Sequence, residues 1–344
     1  MRDGGKRMNN WQIFSTKKNK VFFWSGLILL TLIAAVLNIG LGSVKLSPVQ
    51  VFAVLSGQDT TSTAARIVLY SRLPHTCAAM LAGCALAVSG AVIQTVLNNP
   101  LASPGTIGVN SSAGFAVALV CAMAPWAQSL TPVVAFLGGL LGVLLIMGLS
   151  YRTGASKMTV VLAGIAISNL FSAGIDGIVT LVPEALNGVT DFRIGGFSNV
   201  SMVQLTPAAW MIFLSLVLLL SLSQQLDILA LGTDVAHSLG LAVKPLRFVL
   251  LILAAALAGA AVSFSGLLSF IGLIVPHSMR RMIGSDSLPL LLSSALGGAC
   301  FVMICDLLAR LLFAPFELPV GIVLAFAGAP FFLWLLFKQR GGRG

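Results

Sequence analysis

Long apolar runs separated by short polar segments are the feature that most constrains this chain. Taking Gly, Pro and charged residues as boundaries, hydropathy gives ten runs, at 21–41, 74–96, 105–124, 132–150, 158–182, 206–223, 248–264, 267–283, 288–312 and 318–337. A membrane-spanning helix needs about 20 apolar residues. Because 58% of the residues are hydrophobic and only 9% are charged, lipid must surround most of the surface. The sequence therefore predicts an all-α, polytopic membrane protein with about ten transmembrane helices.

The positive charges are unevenly divided between the segments that join these runs. With a cytoplasmic N-terminus, 15 Lys and Arg residues fall in inner segments and 5 in outer ones. Cytoplasmic loops retain Lys and Arg, so both termini are predicted to be cytoplasmic. The net charge of +10 has the same explanation, and we predict no nucleic-acid partner. The predicted division is a basic cytoplasmic tail at 1–20, a ten-helix domain at 21–338 and a cytoplasmic tail at 339–344.

Several catalytic functions lack the residues that they require. The sequence has no phosphate-binding G-x-x-x-x-G-K-[ST] motif, so ATP hydrolysis would come from another chain. Its three histidines lie at or near predicted span boundaries, which disfavours a haem enzyme. Its five cysteines form no C-x-x-C pair and indicate no metal site. We predict no catalytic residue, no cofactor and no resident metal.

Two groups of polar residues interrupt the apolar runs. Asn169, Ser172 and Asp176 share one face of the fifth run, where they either line a pathway or hold helices together. Asp306 and Arg310 lie four residues apart and can pair on one helix face. An ion-coupled transporter would keep a carboxylate at mid-membrane, for which Asp176 and Asp306 are the two candidates.

Small residues recur at every fourth position in several runs. Examples are Gly83, Ala87 and Ala91, and the pair Gly138 and Gly142. Such stripes let helix backbones approach closely in lipid, so they predict a tightly packed bundle or dimer.

One predicted inner segment, 224–247, is long enough to hold a structure of its own. Residues 231–240 predict a short helix with Thr233 as N-cap, Asp234 in the first turn and Gly240 as the stop. Val235 and Leu239 would need an apolar partner if they face water. The helix either binds another protein or folds back onto its own bundle.

Several stretches, in order along the chain, resemble the FecCD-type permeases of bacterial type II ABC importers, the importers of iron siderophores, haem and cobalamin. Residues 72–75, 83–94 and 99–105 resemble the RLPR, GAALAxSGAxxQ and NPLAxPxxLG patterns of this family, 231–240 resembles its LGxxxAxxLG coupling segment, and 270–280, 306–310 and 317–330 resemble its FxGLxxPHxxR, ADxxAR and ELPVGxxxAxxGxP blocks. His75 is a departure, because the family pattern has Arg at that position.

The resemblance implies the type II ABC importer permease fold and a set of partners. These are a second permease subunit, identical or paralogous, two ATP-binding subunits, and a periplasmic or lipid-anchored substrate-binding protein. The implied function is movement of a ferric siderophore or similar metal chelate across the bacterial cytoplasmic membrane. Haem and cobalamin are the alternative cargoes.

The resemblance also implies candidate site residues. ATPase coupling falls on Gly232, Asp234, Val235, Ala236, Leu239 and Gly240. Binding-protein docking falls on Arg72, His75 and Arg310. The alternative is that Arg72 anchors the second span at the lipid headgroups and that Arg310 forms an ion pair with Asp306. Gate candidates from the resemblance are Gly195, Gly196 and Phe197, which either move or form a static turn. Asn169, Ser172 and Asp176, identified above from their shared helix face, remain the pathway candidates.

Two rival functions come from other classes. An ion-coupled secondary transporter would need an ion gradient and no ATPase, and a membrane-bound oxidoreductase would carry a visible cofactor. Neither has a use for the coupling segment at 231–240.

Overall fold

The computed structural model describes residues 17–42, 44–152, 157–198, 200–314 and 316–340, and every regular element in these ranges is helical. The α-helices are α1 Lys17–Gly40, α2 Pro48–Leu55, α3 Thr63–Ile67, α4 Leu73–Leu97, α5 Val109–Met123, α6 Thr131–Arg152, α7 Lys157–Leu181, α8 Leu186–Ile194, α9 Met202–Ser221, α10 Ser223–Ala230, α11 Thr233–Ser238, α12 Val243–Ser265, α13 Ile271–Ile283, α14 Ser287–Leu311 and α15 Val320–Arg340. Residues 1–16 and 341–344, most of the two predicted tails, lie outside the described residues.

The long helices coincide with the predicted apolar runs. Within the described ranges, seven helical segments are long and apolar enough to cross a membrane, and they correspond to α1, α4, α6, α7, α9, α12 and α14. α5 and the segment Val320–Leu333 of α15 are shorter apolar helices. The π-helical turn Val68–Arg72 joins α3 to α4 in one continuous helix. The chain is therefore a multi-pass membrane protein, and the count of ten spans stays a prediction.

The run predicted at 267–283 forms a shorter helix than expected. α13 has 13 residues, which span about 20 Å, less than the thickness of the hydrocarbon core. The preceding residues leave the helical conformation because Gly266 and Phe270 both have positive φ, at 65° and 67°. Gly266 is needed because a Cβ atom there would meet the Phe192 carbonyl oxygen at 2.5 Å. This irregular stretch packs against other parts of the protein, which is the condition under which non-helical backbone is tolerated at membrane depth.

The segment 224–247 contains more helix than predicted. α10 begins at Ser223 and occupies its first part, ahead of the expected short helix α11. Leu226 and Leu229 of α10 are buried, so this helix packs into the bundle and is separate from α9. The sequence pattern missed it because α10 follows an apolar span after a single residue, Leu222.

α4 is the centre of the bundle, and small residues bring its neighbours close. It packs against α12, α13 and α14, and most of its side chains are buried. A Cβ atom on Gly83 would lie 2.1 Å from the carbonyl oxygen of Gly298 in α14, and one on Gly90 would lie 2.0 Å from that of Gly272 in α13. Side chains at these positions would force the helices apart. The predicted small-residue packing is confirmed at Gly83.

Candidate functional site

The loop between α9 and α12 presents α11 at the surface. α11 begins at Thr233, and Gly232, with φ of +116°, is its N-cap, so the prediction of Thr233 as N-cap is wrong by one residue. Gly240 ends the helix as predicted. Its φ is +83°, its N–H donates to the His237 carbonyl, and the Leu241 N–H donates to the Ala236 carbonyl. This is the Schellman arrangement, which favours glycine at the left-handed position.

Three apolar side chains of this loop face outward. Leu231, Val235 and Leu239 are 65%, 44% and 60% exposed, and we call them the coupling surface. Ala236 is fully buried and holds α11 against the bundle. α11 therefore rests on its own bundle through one side and leaves an apolar surface on the other. Of the other predicted coupling residues, Asp234 and Gly240 are exposed beside the coupling surface, and Gly232 is half-buried.

Asn38, Arg72, His75, Asp306 and Arg310 meet at the opposite end of α14 from the loop, and we call them the Asp306 cluster. His75 Nε2 lies 2.7 Å from Asp306 Oδ1, and Arg310 Nη2 lies 3.0 Å from Asp306 Oδ2. The Arg310 guanidinium also donates to the carbonyl and side-chain oxygens of Asn38. The predicted pairing of Asp306 with Arg310 is confirmed, and His75 and Asn38 complete it from α4 and α1.

The two arginines of the cluster are already bonded within the chain. Arg72 and Arg310 are each 4% exposed. Arg72 donates to the carbonyl oxygens of Ile39, Gly40 and Val44, at the end of α1 and just after it. Such contacts satisfy a buried guanidinium, and they fit the structural alternative for both residues. Docking of a binding protein at Arg72, His75 and Arg310 stays a prediction.

The glycine pair after α8 forms a packed joint. Gly195, with φ of +72°, has the Leu267 carbonyl oxygen 2.5 Å from the position of a Cβ atom. Gly196 N–H donates to the Ser265 carbonyl at 2.8 Å. Phe197 is 2% exposed, and its ring meets that of His75 edge to face at 5.6 Å. These residues link α8, α12 and the Asp306 cluster, and their predicted movement stays a prediction.

The predicted polar face of α7 is uncovered in the single chain. Asn169, Ser172 and Asp176 are all exposed, and only 11% of the apolar window of α7 is buried. The carboxylate of Asp176 lies 3.7 Å from Arg193 of α8, with both side chains more than half exposed. A polar face of this kind in a membrane helix needs water or another protein against it.

The described residues hold no group of three or more His, Cys, Asp or Glu side chains that could bind a metal ion. All five cysteines are buried or half-buried as free thiols. The charged residues of the Asp306 cluster are hydrogen-bonded to one another and to backbone carbonyl oxygens, which fixes the positions of the helices that carry them.

Sequence reasoning missed several partners of the predicted residues. Asn38 is a fully buried amide in α1 that donates to the Met303 carbonyl at 2.8 Å, and a lone Asn in an apolar run was the available signal. Asp227 of α10 accepts from the Ser287 N–H at 2.7 Å. Arg280 donates to the side chains of Gln94 and Thr95, which joins two of the family-like stretches.

Comparisons with known proteins agree with one another. A model of the FecCD transport family matches residues 29–338. The hemin transport system permease protein HmuU of Yersinia pestis is 40% identical over 330 residues, covering 91% of this chain and 95% of the relative. The iron(3+)-hydroxamate import system permease protein FhuB of Bacillus subtilis is 36% identical, covering 92% and 83%. A solved metal-chelate type ABC transporter in an inward-facing conformation is 30% identical with a TM-score of 0.82, covering 93% of this chain and 99% of that one.

Proposed function

The chain belongs to the FecCD transport family and is a permease subunit of an ABC importer, and from this premise we propose that its cargo is a ferric siderophore or a similar metal chelate. The observation that carries the proposal is that relatives named for hemin and for iron hydroxamate match it over nearly the whole chain. Their shared cargo chemistry is chelated iron. Haem is the second candidate, because the hemin permease is 40% identical.

The family membership also sets the division of labour. The chain is a transport subunit and no enzyme, and it works in the cytoplasmic membrane with ATP-binding, substrate-binding and permease partners. ATP hydrolysis takes place in the ATP-binding partners. What this chain supplies is a pathway with two access states and a surface that receives the movement.

We place the ATP-binding partner on the coupling surface. Leu231, Val235 and Leu239 are apolar and exposed, whereas Ala236 anchors the helix that carries them. Apolar anchors in a closed cleft provide much of the binding energy at protein interfaces. Two copies of this contact, one per permease subunit, would transmit the closing of two ATP-binding subunits.

We place the second permease subunit against α7. Its polar residues Asn169, Ser172 and Asp176 are exposed in the single chain, and lipid is a poor environment for all three. A second permease subunit, identical or paralogous, would enclose this face as part of a pathway. The Asp176 and Arg193 pair then lies at the pathway wall.

Docking of the substrate-binding protein is proposed at the end of the molecule that holds the Asp306 cluster. A cavity of about 150 Å³ there is lined by Arg72, His75, Arg310, Glu317 and neighbouring residues. A carboxylate of the binding protein could contact these arginines only by adding to or displacing their internal partners. Docking is therefore expected to depend on whether Arg72 and Arg310 keep their hydrogen bonds within the Asp306 cluster and to the end of α1.

The test is transport by the complex purified through a tag on this chain and reconstituted in liposomes with its co-purifying partners. We expect ATP-dependent uptake of one member of a panel of ferric hydroxamate, ferric citrate, haemin and cobalamin, insensitive to ionophores. Ferric hydroxamate or citrate supports the proposed cargo, and haemin supports the second candidate. Uptake of cobalamin alone, or uptake driven by an ion gradient without ATP, would overturn the proposal.

A further inference from the structure

We propose that Asp227 is a positioning residue through which movement of the coupling surface reaches α14 and, at its far end, the Asp306 cluster. The inference rests on the proposed function, because it takes the coupling surface to be the contact of an ATP-binding subunit. Asp227 lies four residues before the coupling segment at 231–240, within the region that the family model matches but outside the shorter motifs identified in the sequence.

α10 connects the coupling surface to the central helices. α11 packs against α10 and α12, and α10 packs in turn against α4, α9 and α14. Leu226 and Leu229 of α10 are 1% and 0% exposed, so this helix is fixed in the core. Only Leu231 and Gly232 separate α10 from α11. Because packed interiors are nearly incompressible, a displacement of α11 is passed to α10.

Asp227 bonds α10 directly to the end of α14. Its Oδ1 accepts the backbone N–H of Ser287, the first residue of α14, at 2.7 Å. A carboxylate at a helix N-terminus is favoured by the free N–H groups and by the helix dipole. Asp286 occupies the N-cap position, yet its side chain makes no capping hydrogen bond. A residue 60 positions away has taken that role.

Burial makes this contact hard to replace. Ser287 is 1% exposed, so loss of the carboxylate would leave a buried N–H without a partner. The short Asp side chain on a core-packed helix also holds the two helices at a fixed separation. Movement of α10 therefore pulls or pushes the end of α14.

α14 carries this movement across the protein. Its 25 residues extend about 37 Å, and Gly298 keeps it against Gly83 of the central α4. At the far end Asp306 contacts His75, whose ring touches Phe197 of the joint after α8. One helix thus connects the coupling loop to the residues predicted to form the gate.

The experiment measures cargo imported per ATP hydrolysed by the reconstituted complex, using the ferric chelate that the unsubstituted complex imports. Asp227→Ala is expected to lower this ratio about tenfold, since a hydrogen bond to a charged group is lost. Asp227→Asn keeps an acceptor oxygen and should restore most of the ratio. Asp286→Ala removes the neighbouring carboxylate that makes no cap bond and should leave the ratio unchanged. If Asp227→Ala fails to assemble, Asp227→Ser, which is too short to reach, takes its place.

Two results would overturn the proposal: an unchanged ratio in Asp227→Ala, or an equal loss in Asp286→Ala. A purely structural role for Asp227 would lower assembly and ATPase activity together with uptake. The proposal instead expects ATP hydrolysis to continue while uptake falls.

A second readout needs no cargo and separates this inference from the proposed function. Asp191→Cys places a thiol on the exposed face of α8, close to the joint, and its labelling is compared with and without ATP. We expect the ATP-dependent change in the unsubstituted background and in Asp227→Asn, and its loss in Asp227→Ala. An equal change in Asp227→Ala, or no change in any variant, would overturn the inference. Failure of uptake across the whole panel would count against the cargo alone.

Discussion

Asp306 is a buried carboxylate with two basic neighbours, and its removal would change the charge balance of its surroundings. Arg310 approaches one carboxylate oxygen at 3.0 Å and His75 approaches the other at 2.7 Å. Arg72 lines the cavity beside the cluster together with His75 and Arg310. Without Asp306, two buried guanidinium groups would lie near each other with carbonyl oxygens and Glu317 as their compensation. An unpaired buried charge is costly because water cannot reach it.

We predict that Asp306→Ala lowers the free energy of unfolding by about 3 to 5 kcal/mol, the range for breaking a buried ion pair. Thermal unfolding of the purified protein in detergent measures it. Asp176→Ala is the matched control, because Asp176 also faces an arginine but both side chains are more than half exposed. Its expected loss is below about 1 kcal/mol. Equal losses in the two variants would contradict the argument.

At this scale the sequence predicted pairs within one helix and missed partners across helices. The spacing of Asp306 and Arg310 was enough to predict their contact, because residues four apart share a helix face. His75 and Asn38 reach Asp306 and Arg310 from other helices, and no local pattern states which helices will be neighbours. Asp227 was missed for the same reason, since its partner is a backbone N–H that has no sequence signature.

The helices as elements were predicted best where the apolar run was long. α14 begins and ends within one residue of the predicted run at 288–312, and α4 ends within one residue of the run at 74–96. On its N-terminal side the α4 helix continues beyond the predicted run, through the π-helical turn to Thr63. α10 and the short α13 were predicted less well. α10 is amphipathic and begins at a kink, and α13 follows a stretch whose backbone is set by contact with Phe192.

The coupling surface gives a prediction at the scale of α11. Leu239→Asp should leave folding intact, because Leu239 is 60% exposed, but it should weaken association with the ATP-binding partner by about tenfold or more, as expected for an interface anchor. Leu239→Met, which keeps an apolar side chain, should associate normally. Co-purification at several partner concentrations provides the measurement. Normal association of Leu239→Asp would place the ATP-binding partner elsewhere on the loop.

At the scale of the whole molecule, the amino-acid composition predicted that lipid surrounds the protein, and the motifs predicted its family. Charge-poor apolar runs require lipid, and the ordered stretches from 72 to 330 were specific enough to indicate a permease, which the family match confirms. The surface of α7 shows what one chain cannot display by itself. Its polar face is exposed in the single chain, with Asp176 beside the equally exposed Arg193, so its role depends on an assembly that the sequence implies only through resemblance.

The last prediction concerns sidedness, which follows from 15 inner and 5 outer Lys and Arg residues. The structure groups exposed positions at two ends. Gln58, between α2 and α3, and Asn187 of α8 lie toward the Asp306 cluster, whereas Ser238 of α11 and Ser285, two residues before α14, lie toward the coupling loop.

A cysteine at position 58 or 187 should react with a membrane-impermeant maleimide in intact spheroplasts. A cysteine at 238 or 285 should react only after the membrane is opened, because retained positive charge keeps that end in the cytoplasm. The unsubstituted protein, with its buried and half-buried thiols, is the blank. Labelling of position 238 in intact spheroplasts would put the coupling surface outside, where no ATP-binding subunit could meet it.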